Sequence, residues 1–267
     1  MEFETILFDV SEHIATITLN RPERLNAFNQ KMAMELKSAW EEVKRDQNIR
    51  CVILTGVGEK ALCTGVDING FLEDGDFQLS KDVAEKPDFL TLTAIQNHCW
   101  KPVVTAVNGM VCGGGLHFLA DSDITVCADN ATFFDTHVKW GKVSGLEPVS
   151  LLRKIPFEHL MRMALLGGSE RMSAAEAKSV NLVSEVVPKE RLMERARELA
   201  TIIASHSPTA VARTKQAIWE GMNLGLEEGL DNAWDILREH NLHHDNAEGF
   251  QASYEKRQPH WEPYVHP

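Results

Sequence analysis

The chain has 267 residues, 43% of them hydrophobic and 25% charged, and carries a formal net charge of −12. That composition fits one large globular domain with a real core, or one domain with an appendage. The acidic balance argues against a general nucleic-acid binder, because no basic run tracks a phosphate backbone, and no apolar run reaches membrane-spanning length.

The N-terminus has neither the basic nor the long apolar segment of a secretory signal. Ile6–Val10 and Ile14–Leu19 read as two strands of a hairpin around Ser11-Glu12-His13. Asn29 to Val43 has helical spacing, with Met32, Met34, Leu36, Trp40 and Val43 available for one side. Val52 to Thr55 is a short buried strand. Gly70 to Asp88 is acidic and mixed, and reads as a loop or short helix able to cover a ligand. The spacing then predicts a helix over Phe89–Cys99, followed by a strand from Pro102 and another over Ile124–Ala128.

The second half turns helical, with segments at Pro148–Ile155 and Phe157–Leu166. Ser173-Ala174-Ala175-Glu176 is a capping-box start. Leu182–Pro188 is extended. Helices follow over about Glu190–Ala204, Pro208–Gly221 and Gly225–His240. Alternating short strands and helices imply an α/β core. No low-complexity linker divides the chain. We expect a core over residues 1–190 and a C-terminal helical region of the same domain over 191–267, which serves oligomerisation.

The five cysteines, Cys51, Cys63, Cys99, Cys112 and Cys127, form no C-x-x-C pair and are odd in number. They read as small buried hydrophobes in a reducing compartment, here the cytoplasm. His240, His243 and His244 lack structural-zinc spacing and read as a solvated helix end. Trp40, Trp100, Trp219 and Trp234 read as core or interface.

The segment that carries most chemistry is Val111-Cys112-Gly113-Gly114-Gly115-Leu116-His117. A strand, a glycine turn and a helix start are its natural reading. Glycines there let a substrate approach the backbone. The exposed N–H groups of a helix start suit an oxyanion. His117 stands one turn inside.

This segment resembles the crotonase, or enoyl-CoA hydratase/isomerase, family. Asn20-Arg21-Pro22-Glu23-Arg24-Leu25-Asn26-Ala27 resembles its first loop, and Val52–Gly56 with Cys63-Thr64-Gly65-Val66-Asp67-Ile68 its first oxyanion segment. Asp121–Ile124, Ala131-Thr132-Phe133, and the C-terminal Phe250, Glu255-Lys256-Arg257 and Pro259 follow in the family's order. The resemblance implies an α/β, crotonase-like spiral of ββα units with a C-terminal helical region. It implies an acyl-CoA thioester substrate, no cofactor beyond that coenzyme A, no metal, and assembly as a homotrimer or a dimer of trimers.

By the same resemblance, the backbone N–H groups of Val66 and Gly114 form an oxyanion hole. Hydratases of the family use two glutamates, and here both positions are histidine, His117 and His137. Two imidazoles can exchange protons near neutral pH. Glu147 lies in a loop where relatives with other chemistries place a catalytic acid. A dehalogenase-like relative has its nucleophilic aspartate where this chain has Gly145. Relatives that cleave β-diketones use a His with a nearby Asp, which His137 with Glu147 or Asp135 can imitate. Asp67 reads as a support of the oxyanion loop. Coenzyme A falls to Arg24 and Ala27 of the first loop and to Lys256 and Arg257, with Asn69 standing where a cation is common. Three functions follow: an enoyl-CoA lyase or isomerase with two histidines as acid and base, a β-dicarbonyl or thioester hydrolase, and a non-catalytic acyl-CoA-binding protein.

Overall fold

The computed structural model describes residues 3–68 and 91–266. Its strands begin with β1, Ile6–Ser11, and β2, Ile14–Leu19. They pair antiparallel in the register Ile6 to Leu19. Glu12 and His13 close the hairpin with φ of 51° and 68°. A two-residue loop with both φ positive matches the twist of the strands it joins.

Helix α1 spans Gln30–Arg45. The Asn29 side chain caps it by accepting from the Met32 N–H at 3.0 Å. It buries Met32, Ala33, Leu36, Ala39, Trp40 and Val43. Met34, expected on that side, is 63% exposed, because it lies off the arc shared by the others. The Trp40 indole N–H donates to the Leu92 carbonyl at 2.8 Å, so the ring is both packed and satisfied.

Strands β3, Cys51–Gly56, β5, Val103–Val107, and β7, Ile124–Ala128, lie in the larger sheet. Strands β4, Ala61–Cys63, β6, Met110–Cys112, and β8, Thr132–Phe134, lie in the smaller. Each consecutive pair thus sends its first strand to one sheet and its second to the other. That is the expected spiral of repeated ββ units. The larger sheet runs β1-β2-β3-β5-β7-β10, where β10 is Glu185–Val187. It is parallel from β2 onward. The smaller runs β4-β6-β8-β9, with β9 at Met172–Ser173. β3 and β5 are buried at every position, as inner strands of a parallel sheet covered on both faces should be.

Short helix α2, His117–Ala120, follows a 3-10 turn at Gly113–Leu116. Helices α3, Leu146–Leu151, and α4, Phe157–Leu165, lead to α5, Ala174–Ser179, which starts with the expected capping box. Then come α6, Leu192–Ala204, α7, Pro208–Gly221, α8, Leu226–His240, and α9, His244–Glu255. Ala196, Ala200 and Ala204 of α6 pack with Ile53, Val104 and Val126 of the sheet. Asp123 ties α7 to the sheet. It accepts from the Trp219 indole at 2.7 Å and the Val103 N–H at 2.7 Å, and pairs with Lys215 at 2.8 Å.

One further expectation needs correction. Residues 91–99 form consecutive turns instead of a helix, with Cys99 N–H bonded back to the Ala94 carbonyl and His98 at φ 55°. The segment expected to cover a ligand, Gly70–Asp88, lies outside the described residues. His243 and His244 begin a further helix, where the His243 side chain accepts from the Asp245 N–H. Among the described residues no group of three or more His, Cys, Asp or Glu side chains is placed to hold a metal ion. No helix among them is long and apolar enough to cross a membrane. The five cysteines are buried thiols, and burial pushes Cys63 up to about 12.

Candidate active site

The two glycine segments converge. The Phe28 N–H donates to the Gly65 carbonyl at 2.8 Å, and the Asp67 N–H donates to the Phe28 carbonyl at 2.9 Å. This parallel bridge takes the groups flanking Val66 and leaves the Val66 N–H out of it. Gly65 has φ +89°, and a Cβ there would stand 3.0 Å from the Gly114 nitrogen. The backbones at Gly65-Val66 and Gly113-Gly114 are therefore neighbours only because glycine occupies both. Gly115 is fixed as tightly: a Cβ on it would stand 2.3 Å from the Cys63 carbonyl oxygen. Asp67 supports the loop by pairing with Arg21 at 2.8 Å, while Arg21 also donates to the Ala27 carbonyl at 2.6 Å.

His137 follows the end of β8. Its Nδ1 meets Asp135 Oδ1 at 2.7 Å, and its backbone N–H donates to the same oxygen at 2.7 Å. The Ser144 hydroxyl donates to the other oxygen at 2.5 Å. Asp135 is fully buried, so these bonds fix its rotamer. The bond to Asp135 pushes the imidazole above its ordinary value near 6.5, outweighing the burial that opposes the charge. Burial works against ionisation of Asp135, but its bonds to His137 and Ser144 prevail and hold it below the usual range. With Nδ1 engaged, Nε2 is the nitrogen left for other chemistry. The ring lies over the glycine turn: its Cε1 is 3.6 Å from where a Cβ of Gly113 would stand.

His117 is placed differently. It is 3% exposed and opens α2. Its Nδ1 lies 3.3 Å from the Gln96 amide nitrogen, and its Nε2 lies 3.3 Å from Glu147 Oε1. The second contact is long and off-line for a hydrogen bond, and among the described residues no aligned acceptor meets Nε2. Hydrogen bonds in catalytic sites are often long before substrate enters. Glu147, near the start of α3, is 6% exposed. Burial opposes its charge, but the His117 contact, its own N–H and the nearby His137 together hold the carboxyl below its usual range. The structure thus brings His117, His137 and Glu147 together, and adds Asp135 and Gln96 as their supports.

A cleft of about 450 Å³ opens at the Val66 loop, lined in part by Arg24, Ala27, Thr64, Val66, Asp67 and Trp140. The first-loop residues expected at coenzyme A are therefore at its wall. Lys256 and Arg257 are not. Arg257 is forked onto Glu248 at 2.6 and 2.8 Å, at the end of α9. Adjoining glycine backbones, a backed histidine and a buried carboxylate are the kinds of group that suit stabilisation of an oxyanion with proton transfer next to it.

The enoyl-CoA hydratase/isomerase family model matches residues 9–263. The chain belongs to that family. It is 36% identical over 258 residues to (E)-benzylidenesuccinyl-CoA hydratase of Thauera aromatica, covering 95% of this chain and 97% of the relative. It is 34% identical to 1,2-epoxyphenylacetyl-CoA isomerase of Escherichia coli, covering 97% and 98%. Among solved structures, an enoyl-CoA hydratase/isomerase from Mycobacterium paratuberculosis aligns with TM-score 0.88 and 41% identity over 98% of this chain and 99% of that one.

As a member of the enoyl-CoA hydratase/isomerase family, the protein is a lyase or isomerase of acyl-CoA thioesters. Sequence reasoning missed Gln96, Ser144 and Trp140 at this family site. Asp135 was legible, because a carboxylate two residues before a histidine can bond both its backbone N–H and its ring. Gln96 gave no such signal.

Proposed function

We propose that the protein hydrates a 2-enoyl-CoA thioester. Val66 and Gly114 N–H hold the carbonyl oxygen as it becomes an enolate, at about 3–4 kcal/mol per donor. The two histidines govern the proton transfers, each against a carboxylate. Glu147, backed by His117, takes a proton from water as the water oxygen bonds to Cβ. The C=C electron pair shifts into the bond between Cα and the carbonyl carbon, and the carbonyl pair moves onto the thioester oxygen. His137, backed by Asp135, gives its Nε2 proton to Cα as the enolate collapses. One water is added and the thioester stays intact. Run in reverse, the same groups perform dehydration.

The observation that carries this reading is the geometry of two imidazole–carboxylate contacts, His137 on Asp135 at 2.7 Å and His117 beside Glu147 at 3.3 Å. That is an acid and a base in one site. The relatives named above, a hydratase and an isomerase of aryl-bearing CoA thioesters, make an aryl-substituted acyl group a sensible part of the substrate panel. A second reading, hydrolysis by a His–carboxylate dyad, draws on the His137–Asp135 contact alone. The test is turnover of straight-chain and aryl 2-enoyl-CoAs by wild type, His137→Gln and Glu147→Gln. Each variant should lose at least about a hundredfold in kcat while still binding the thioester. Normal turnover by both variants sinks the assignment.

We also propose a trimer or a pair of trimers. Ile218, Leu226, Leu230, Trp234 and Leu237 are all at least half exposed on α7 and α8. Closed symmetric assembly covers such faces. It also allows Lys256 and Arg257 to serve a neighbour's coenzyme A. Light scattering at low concentration tests this, and a stable monomer refutes it.

A further inference from the structure

Gln96 belongs to the turn that replaces the expected helix, and its amide has only one orientation open to it. The Leu92 N–H donates to its Oε1 at 2.7 Å. An N–H needs an acceptor, so the oxygen must face Leu92 and the NH₂ must face His117. That NH₂ lies 3.3 Å from Nδ1 of His117. An amide nitrogen can only donate, so Nδ1 accepts and carries no proton. The proton of the neutral ring then sits on Nε2, opposite Glu147 Oε1 at 3.3 Å.

We infer that Gln96 is a positioning residue that fixes the tautomer of His117 and, through it, holds Glu147 ready to accept a proton. The inference deepens the role proposed for Glu147 and rests on it for its catalytic consequence. With the ring reversed, an unprotonated Nε2 would face the carboxylate, and two acceptors would repel. Glu147 could relieve that only by taking a proton itself, which would end its use as a base.

The other charged groups around this contact are few among the described residues. Asp121 follows the short helix that His117 opens. It accepts from the Thr93 hydroxyl at 2.7 Å, burial pushes its carboxyl up, and Lys154 and Arg153 act on it from beyond α3. His137 acts on Glu147 from the other side, and Asp135 and Lys142 act in turn on His137. The buried thiols of Cys63 and Cys112 stay neutral. None of these donates to Nδ1, so the tautomer is set at Gln96.

The experiment reads the ring directly. Solid-state ¹⁵N NMR of histidine-labelled protein at pH 8, assigned with His117→Gln, should show Nδ1 of His117 unprotonated in wild type. In Gln96→Glu, which can only accept, Nδ1 should be protonated. A protonated wild-type Nδ1 overturns the inference whether or not the enzyme turns over any enoyl-CoA. In Gln96→Met the acidic limb of the kcat profile should rise by about one pH unit, so that kcat on that limb falls about tenfold, with KM nearly unchanged. An unmoved acidic limb in folded Gln96→Met, with hydration intact, also overturns it and leaves the proposed reaction standing. Loss of all hydration in wild type, with the expected tautomer, fails the reaction instead. Should Gln96→Met not fold, the wild-type and Gln96→Glu spectra decide.

Discussion

Asp135→Asn removes one charge and little else. The wild-type carboxylate accepts from the His137 backbone and Nδ1 at 2.7 Å each, and from Ser144 at 2.5 Å. Asparagine can keep Oδ1 toward His137 and turn its NH₂ toward the Ser144 oxygen. The shape survives while the charge-assisted bond becomes a neutral one. Such bonds are roughly twice as strong when charged, a difference of about 1–2 kcal/mol. One pKa unit is about 1.4 kcal/mol, so His137 should fall by about one unit. The pH profile of kcat reads this. In wild type the alkaline limb should lie above 6.5, because His137 is raised from that value. In Asp135→Asn the limb should move down by about one unit, and turnover at pH 8 should drop about tenfold. An alkaline limb that stays in place refutes His137 as the acid.

The same pair sets a stability profile. His137 is raised above 6.5, so its contribution is full below that value and is lost as pH climbs through the folded value; Asp135 is lowered from 3.8, so its contribution is present above that value and is lost as pH falls through the folded value. The Tm difference between wild type and Asp135→Asn should therefore be widest between 3.8 and 6.5 and shrink on both sides. Gly65→Ala must adopt φ +89° with a Cβ 3.0 Å from the Gly114 nitrogen, so kcat should fall about a hundredfold, the scale of one lost oxyanion donor. Arg21→Met removes the 2.8 Å ion pair that Arg21 makes with buried Asp67, and thermal unfolding should show a loss of about 1.5–3 kcal/mol, the scale of a hydrogen bond to a charged group. A Tm within a degree of wild type contradicts the Arg21–Asp67 support.

Much of this was legible in the chain because its signals are local. The hairpin, the Ser173 capping box and the glycine turn need only near neighbours. The strand periods of β3, β5 and β7 survive in short apolar runs. What escaped was non-local. The turn at 91–99 has apolar residues at helical spacing, yet Trp40 draws the Leu92 carbonyl and Leu92 in turn holds Gln96. The three-residue strands of the smaller sheet are too short to show a period. For the site, the sequence placed His117, His137 and Glu147 as candidates and offered Asp135 as a partner of His137, but it did not offer Gln96 as the partner of His117. Whether an imidazole meets substrate or a carboxylate depends on the angle between α2 and α3, which no spacing encodes.

The central claim is addition of water across a 2-enoyl-CoA by the His137 and Glu147 pair. Its most direct test is mass spectrometry of products formed in H₂¹⁸O. Wild type should form an intact 3-hydroxyacyl-CoA bearing ¹⁸O at C3, and Glu147→Gln should form it at least about a hundredfold more slowly. Label found in a free carboxylate, with coenzyme A or a shortened acyl chain released, would contradict it and establish hydrolysis instead.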